Sequence, residues 1–130
     1  MKRFIFVVLA ALTIVACKGH MVHNPKNTIP MSAQGLPLEQ IEGAIVDAAQ
    51  VRGWRMERGG SGHLVATQRQ PKYEATVDIR FDQQSYEIRY RSSIGLSEQG
   101  GVIHSRYNHW IQLLERDIDS RLAALAFRRT

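Results

Sequence analysis

A chain of 130 residues with 44% hydrophobic and 22% charged side chains has room for one ordinary core. Two domains, wholesale disorder and a multi-span membrane protein are excluded on those figures. The formal charge is +5 and Cys17 is the one cysteine, so no internal disulfide can form.

Met1, Lys2 and Arg3 are followed by an apolar run over residues 4–16 that ends in a small residue. That is the order of a cleaved export leader, and it is shorter than the roughly 20 residues a permanent membrane helix needs. Ile14-Val15-Ala16-Cys17 resembles the bacterial lipobox, in which a small residue precedes a cysteine that receives diacylglycerol and becomes the new N-terminus. The resemblance implies a signal peptide over 1–16 and a lipid-anchored protein of the bacterial cell envelope. Lys18 after the cysteine implies the outer membrane, with the domain facing the periplasm or the cell surface. Each buried acyl methylene contributes about 0.8 kcal/mol, and stable attachment takes more than one chain. Removing Lys2 and Arg3 leaves 15 of the 17 basic residues against 12 acidic ones, a surplus of 3. That is too little for a nucleic-acid footprint.

Residues 17–35 hold Cys17, Pro25, Pro30, Asn24, Asn27 and Gly35 without a sustained period, and are expected to form a flexible tether. The eighteen residues after Cys17 reach at most about 60 Å. The folded domain is expected over 36–130. Its first element is an amphipathic helix, with Leu38, Ile41, Ile45 and Ala48 on one stripe, widened by Ala44 and Val51. Pro37 suits its first turn and Gly53 its left-handed end. Residues 54–58 alternate as a half-buried strand does, a Gly59-Gly60-Ser61-Gly62 turn follows, and residues 63–69 form a second strand of open facing.

Residues 73–81 and 86–91 carry the clearest local pattern. Ala75, Val77, Ile79 and Phe81 share one face, as do Tyr86, Ile88 and Tyr90. An even register sets Phe81 opposite Tyr86, Ile79 opposite Ile88 and Val77 opposite Tyr90. The same register puts Arg80 opposite Glu87 and Asp78 opposite Arg89 on the outer face, and a slip of one residue destroys every pair. Residues 92–102 read as a long loop. A last helix then carries Tyr107, Trp110, Ile111, Leu114, Ile118, Leu122 and Leu125 on its stripe, with Ser105 as a candidate cap. The expected fold is α+β: a four-stranded antiparallel meander sheet with two helices packed on one face, in the order α-β-β-β-β-α.

Tyr86-x-Ile88-x-Tyr90, Ile103-His104-x-x-Tyr107-Asn108-x-Trp110-Ile111, Leu114, Asp117-Ile118 and Gly53-Trp54 together resemble a family of small bacterial lipoproteins of uncharacterised function. The resemblance implies location and fold but no reaction. It departs over residues 96–102, where related chains are expected to carry a more polar insert.

His20 and His23 stand close behind Cys17 at a spacing that can serve a metal. Acylation would convert that sulfur to a poor thioether ligand, so no metal site and no cofactor is expected. Tyr90, His104, Tyr107, Asn108 and Trp110 gather polar handles and aromatic area near the long loop, and form a candidate groove for a small ligand. Tyr107 and Trp110 also lie on the apolar stripe, so core packing competes with that reading. No nucleophile is tied to a histidine base and a carboxylate, hence no catalytic residue and no enzyme is expected. The leading expectation is a non-enzymatic, monomeric, membrane-anchored envelope protein that binds another envelope component, either a protein or an anionic glycolipid. The alternative is a carrier or sensor using the groove near the start of the last helix. Arg55, Arg58, Arg69, Lys72, Arg80, Arg89 and Arg91 are candidates for a basic outer face of the sheet.

Overall fold

Strict alternation of apolar and polar side chains makes the centre of the protein a sheet with one dry face and one wet face. The computed structural model describes residues 19–128. The leader, Cys17 and Lys18 lie outside the described residues, as do Arg129 and Thr130. In chain order the elements are β1 (Gly19–Met21), β2 (Lys26–Thr28), a 3-10 turn (Met31–Ala33), α1 (Leu38–Val51), β3 (Arg55–Gly60), β4 (His63–Arg69), β5 (Glu74–Phe81), β6 (Ser85–Ile94), β7 (Val102–His104) and α2 (Ser105–Arg128).

Five strands pair antiparallel in the order β2-β6-β5-β4-β3, and β1 pairs with β7 in a separate two-stranded ribbon. The expected four-stranded meander in the order α-β-β-β-β-α is therefore wrong. The sheet has a fifth strand, a second small sheet exists, and two strands precede the first helix. Most of the error lies in residues 19–35, which are not a free tether, and the rest in the unread strand β7. β2 lies along β6, with Lys26 opposite Glu87, Asn27 opposite Tyr86 and Thr28 opposite Ser85. Ile29, Ala33 and Leu36 are buried in the core.

The β5–β6 hairpin has the register that its pattern dictates. Phe81 faces Tyr86, Ile79 faces Ile88 and Val77 faces Tyr90, with a bulge between Thr76 and Val77. Asp82 sets the turn, its Oδ1 accepting the backbone N–H groups of Gln84 and Ser85 at 2.8 Å each. β6 runs on to Ile94, into the stretch expected to be a loop, and β7 begins at Val102, the last residue of that stretch. In β4 the inward residues are Leu64, Ala66 and Gln68. Gln68 is tolerated there because its Nε2 donates to the Arg52 carbonyl, one of the groups left unpaired at the end of α1.

Ile41, Ala44, Ile45, Ala48 and Ala49 of α1 share a single core with Tyr107, Ile111, Leu114, Ile118 and Leu122 of α2 and with the inner face of the sheet. Full burial stabilises such a side chain by about 1.5–3 kcal/mol. Val51, assigned to the stripe by spacing, is instead 72% exposed. Gly53 (φ +84°) ends α1: its N–H bonds the Gln50 carbonyl and the Trp54 N–H bonds Ala49. This is a Schellman closure, which needs a left-handed residue where glycine carries no Cβ penalty. His104, not Ser105, caps α2, its Nδ1 accepting the Arg106 N–H at 3.1 Å.

Candidate functional site

Of the polar residues that sequence singled out, Asn108 and His23 meet where the N-terminal arm lies on α2. Asn108 sits in the first turns of α2 and faces the arm. Its Oδ1 accepts the His23 N–H at 3.0 Å, and its Nδ2 donates to the Met21 carbonyl at 2.8 Å. An amide side chain here serves an extended backbone as a neighbouring strand would. Two turns on, Glu115 continues the clamp. Its Oε1 lies 2.5 Å from His23 Nε2, and its Oε2 accepts from Asn27 Nδ2 at 2.6 Å.

Tyr86 closes this network from the sheet. Its hydroxyl donates to Asp119 Oδ1 at 2.7 Å and accepts from Asn27 Nδ2 at 3.1 Å. Burial, aided by the neighbouring Asp119 carboxylate, drives the Tyr86 phenol well above its ordinary value, so it acts as a neutral donor at every physiological pH. On β6, the Tyr90 N–H bonds Asn24 Oδ1 and the Ile88 N–H bonds the Pro25 carbonyl. The arm is thus stitched to both α2 and β6 along its length.

Of the five residues proposed as a ligand groove, Tyr90 and Tyr107 pack on each other and Asn108 is engaged by the arm, while His104 and Trp110 have other neighbours. Tyr107 is fully buried, with the Tyr90 ring edge-on at 5.5 Å between centroids. Tyr90 Oη bonds Ser93 Oγ at 2.8 Å. Burial pushes the Tyr107 phenol up, and its hydroxyl has no hydrogen-bond partner among the described residues. His104 caps α2 and lies 6.3 Å from the Tyr73 ring, over which the Arg106 guanidinium sits at 4.7 Å. Trp110 is half-buried against the core. Four surface clefts of the described part open elsewhere, the largest between α1 and α2 beside Arg52, Asp117 and Arg121. None of those four is lined by the five residues.

Sequence reasoning missed two arrangements. The first is the His23–Glu115–Asn27 clamp, in which Glu115 lies 92 and 88 residues from its two partners. The second is on the outer sheet face, where Asp78 Oδ1 lies 2.6 Å from His63 Nε2 and Oδ2 accepts from Arg91 Nε at 3.1 Å. Burial disfavours the Asp78 carboxylate, but the bonds from His63 and Arg91 outweigh it and hold its pKa below the ordinary value. Arg91, at the bulge, thus takes the carboxylate that the register alone gave to Arg89. The basic outer face is also thinner than expected, since Arg58 turns to Glu42 on α1 and Arg69 pairs with Glu74.

His20 is exposed and His23 is engaged with Glu115, so the pair does not converge. Among the described residues no group of three or more His, Cys, Asp or Glu side chains is placed to hold a metal ion. Nor is any described helix long and apolar enough to cross a membrane. No protein-family model, no curated protein sequence and no solved structure matches this chain.

Proposed function

We propose that the protein is a lipoprotein of the bacterial envelope, exported by residues 1–16 and held to a membrane, most simply the outer one, by acyl chains on Cys17. The observation that carries this reading is the ordered leader, with its Lys2-Arg3 charge, apolar run and Ala16-Cys17 junction. The folded part acts there as a non-enzymatic binding module for another envelope component, an activity consistent with an outer sheet face of exposed, mixed charge that includes Arg80 and Arg89. The ligand-groove alternative draws little support from a site whose Asn108 amide oxygen and nitrogen are each bonded to the arm, at residues 23 and 21. Likeness to the small lipoproteins noted above belongs to the same proposal.

Intact mass of the product purified from bacterial membranes tests it. The expected species begins at Cys17 and carries acyl groups, and Cys17→Ala leaves the protein in the soluble fraction. A mature product without acyl mass, or a Cys17→Ala variant still bound to membranes, removes the reading.

A further inference from the structure

The following rests on acylation of Cys17. We infer that the end of the domain formed by β1, β7, the first turn of α2 and the 70–73 turn lies directly against the bilayer that carries the anchor, so that the protein is oriented on the membrane instead of swinging from a tether.

Chain length sets the distance. Gly19 is already paired with His104, His20 with Ile103 and Met21 with Val102. The ribbon is locked further by the Val22 N–H on the Gly101 carbonyl and by Asn108 on Met21 and His23. Only Lys18 separates Cys17 from this fixed strand, and two residues span at most about 7 Å. A body fixed that close to its acyl chains cannot stand off the headgroups.

The chemistry of that end suits a headgroup layer. Met21 is 78% exposed and faces Val102, 39% exposed, across the ribbon. Ile94, 66% exposed, ends β6 at the same end, where Gly95 packs on the Lys72 carbonyl. Lys72 and Arg106 are exposed there. Glu74 is neutralised by Arg69, leaving Glu98, which accepts the Gly101 N–H. Apolar side chains ringed by cations are the composition that lies in an interface bearing lipid phosphates. The opposite end, made by residues 61–62 and 82–84, is a β5 length away, roughly 25 Å, and is left for a partner.

The test uses the full chain, processed in bacteria and reconstituted in nanodiscs of phosphatidylethanolamine with a minority of phosphatidylglycerol and a gadolinium-chelating lipid. Amide NMR signals of residues 20, 21, 73, 94 and 102–106 are expected to broaden several-fold more than those of 61, 62 and 82–84. Mass spectrometry of the same sample separates the two ways to fail. An acylated protein that broadens uniformly, or most at 82–84, overturns the orientation alone. A protein without acyl groups overturns the anchor, and the orientation with it.

Discussion

Asn108 holds the N-terminal arm by the backbone of His23, accepting its N–H at 3.0 Å while donating to the carbonyl two residues earlier. A partly buried amide that serves a donor and an acceptor at once is costly to remove, because both backbone groups then lose their partner. Asn108→Ala is expected to lower unfolding free energy by about 1–3 kcal/mol. It should also speed hydrogen exchange at residues 21–23 well before the β5–β6 hairpin exchanges. Unchanged protection of the arm would show that Asn108 is not its clamp.

Glu115 bridges His23 and Asn27 from the same helix. Because the two contacts share one carboxylate, a His23→Ala/Glu115→Ala double-mutant cycle is expected to give a coupling of about 0.5–3 kcal/mol by denaturant titration. Strict additivity would mean that the pair contributes nothing beyond its separate side chains.

The two buried phenols should respond oppositely to loss of the hydroxyl. Tyr86 Oη is bonded to Asp119 and Asn27, and Tyr86→Phe is expected to cost about 1–2 kcal/mol. Tyr107 Oη has no partner among the described residues, so Tyr107→Phe should fall within about 0.5 kcal/mol of the parent or on the stabilising side. Equal losses in both variants, read from thermal or urea melts, would contradict the assignment.

Gly95 has φ +77°, and a Cβ there would overlap the Lys72 carbonyl oxygen. Gly95→Ala therefore meets both a left-handed backbone and a fixed backbone atom, and is expected to destabilise by about 1–3 kcal/mol. Gly43→Ala, in α1 with nothing near its Cβ position, should instead be neutral or stabilise by up to about 1 kcal/mol. Matching melting temperatures for the two variants would show that the Gly95 contact is not constraining.

Acid should loosen the fold through its hydrogen-bonded carboxylates. Asp117 is held below the ordinary 3.8 by its bond from Arg52, Asp82 by the backbone N–H groups of its turn, and Asp78 by His63 and Arg91 against the cost of burial. With folded values depressed, the unfolded chain binds protons first as pH falls. Their contribution is then complete above about pH 5 and drains away from about pH 4 downward through the folded values. Melting temperature should fall between about pH 5 and pH 3, and Asp78→Asn should flatten part of that fall. A flat profile across this window would contradict the linkage.

Local pattern carried much of the fold. The period-2 runs at 74–81 and 85–90 contain their own register, because a one-residue slip would turn Ile79 and Ile88 into solvent. The 3.6-residue stripe of α1 and its Gly53 closure are likewise written within one element. β1, β2 and β7 are three residues each and have no period to read. β2 is a strand only because the exposed edge of β6 offers it backbone partners, and β1 and β7 only because they pair with each other, while α2 secures the arm through contacts such as His23 to Glu115, 92 residues apart. Side-chain periodicity is a property of a segment and survives in the sequence. An edge pairing is a property of two segments, so the docking of residues 19–35, and the use of Asn108 to secure it, emerged only when the chain was folded.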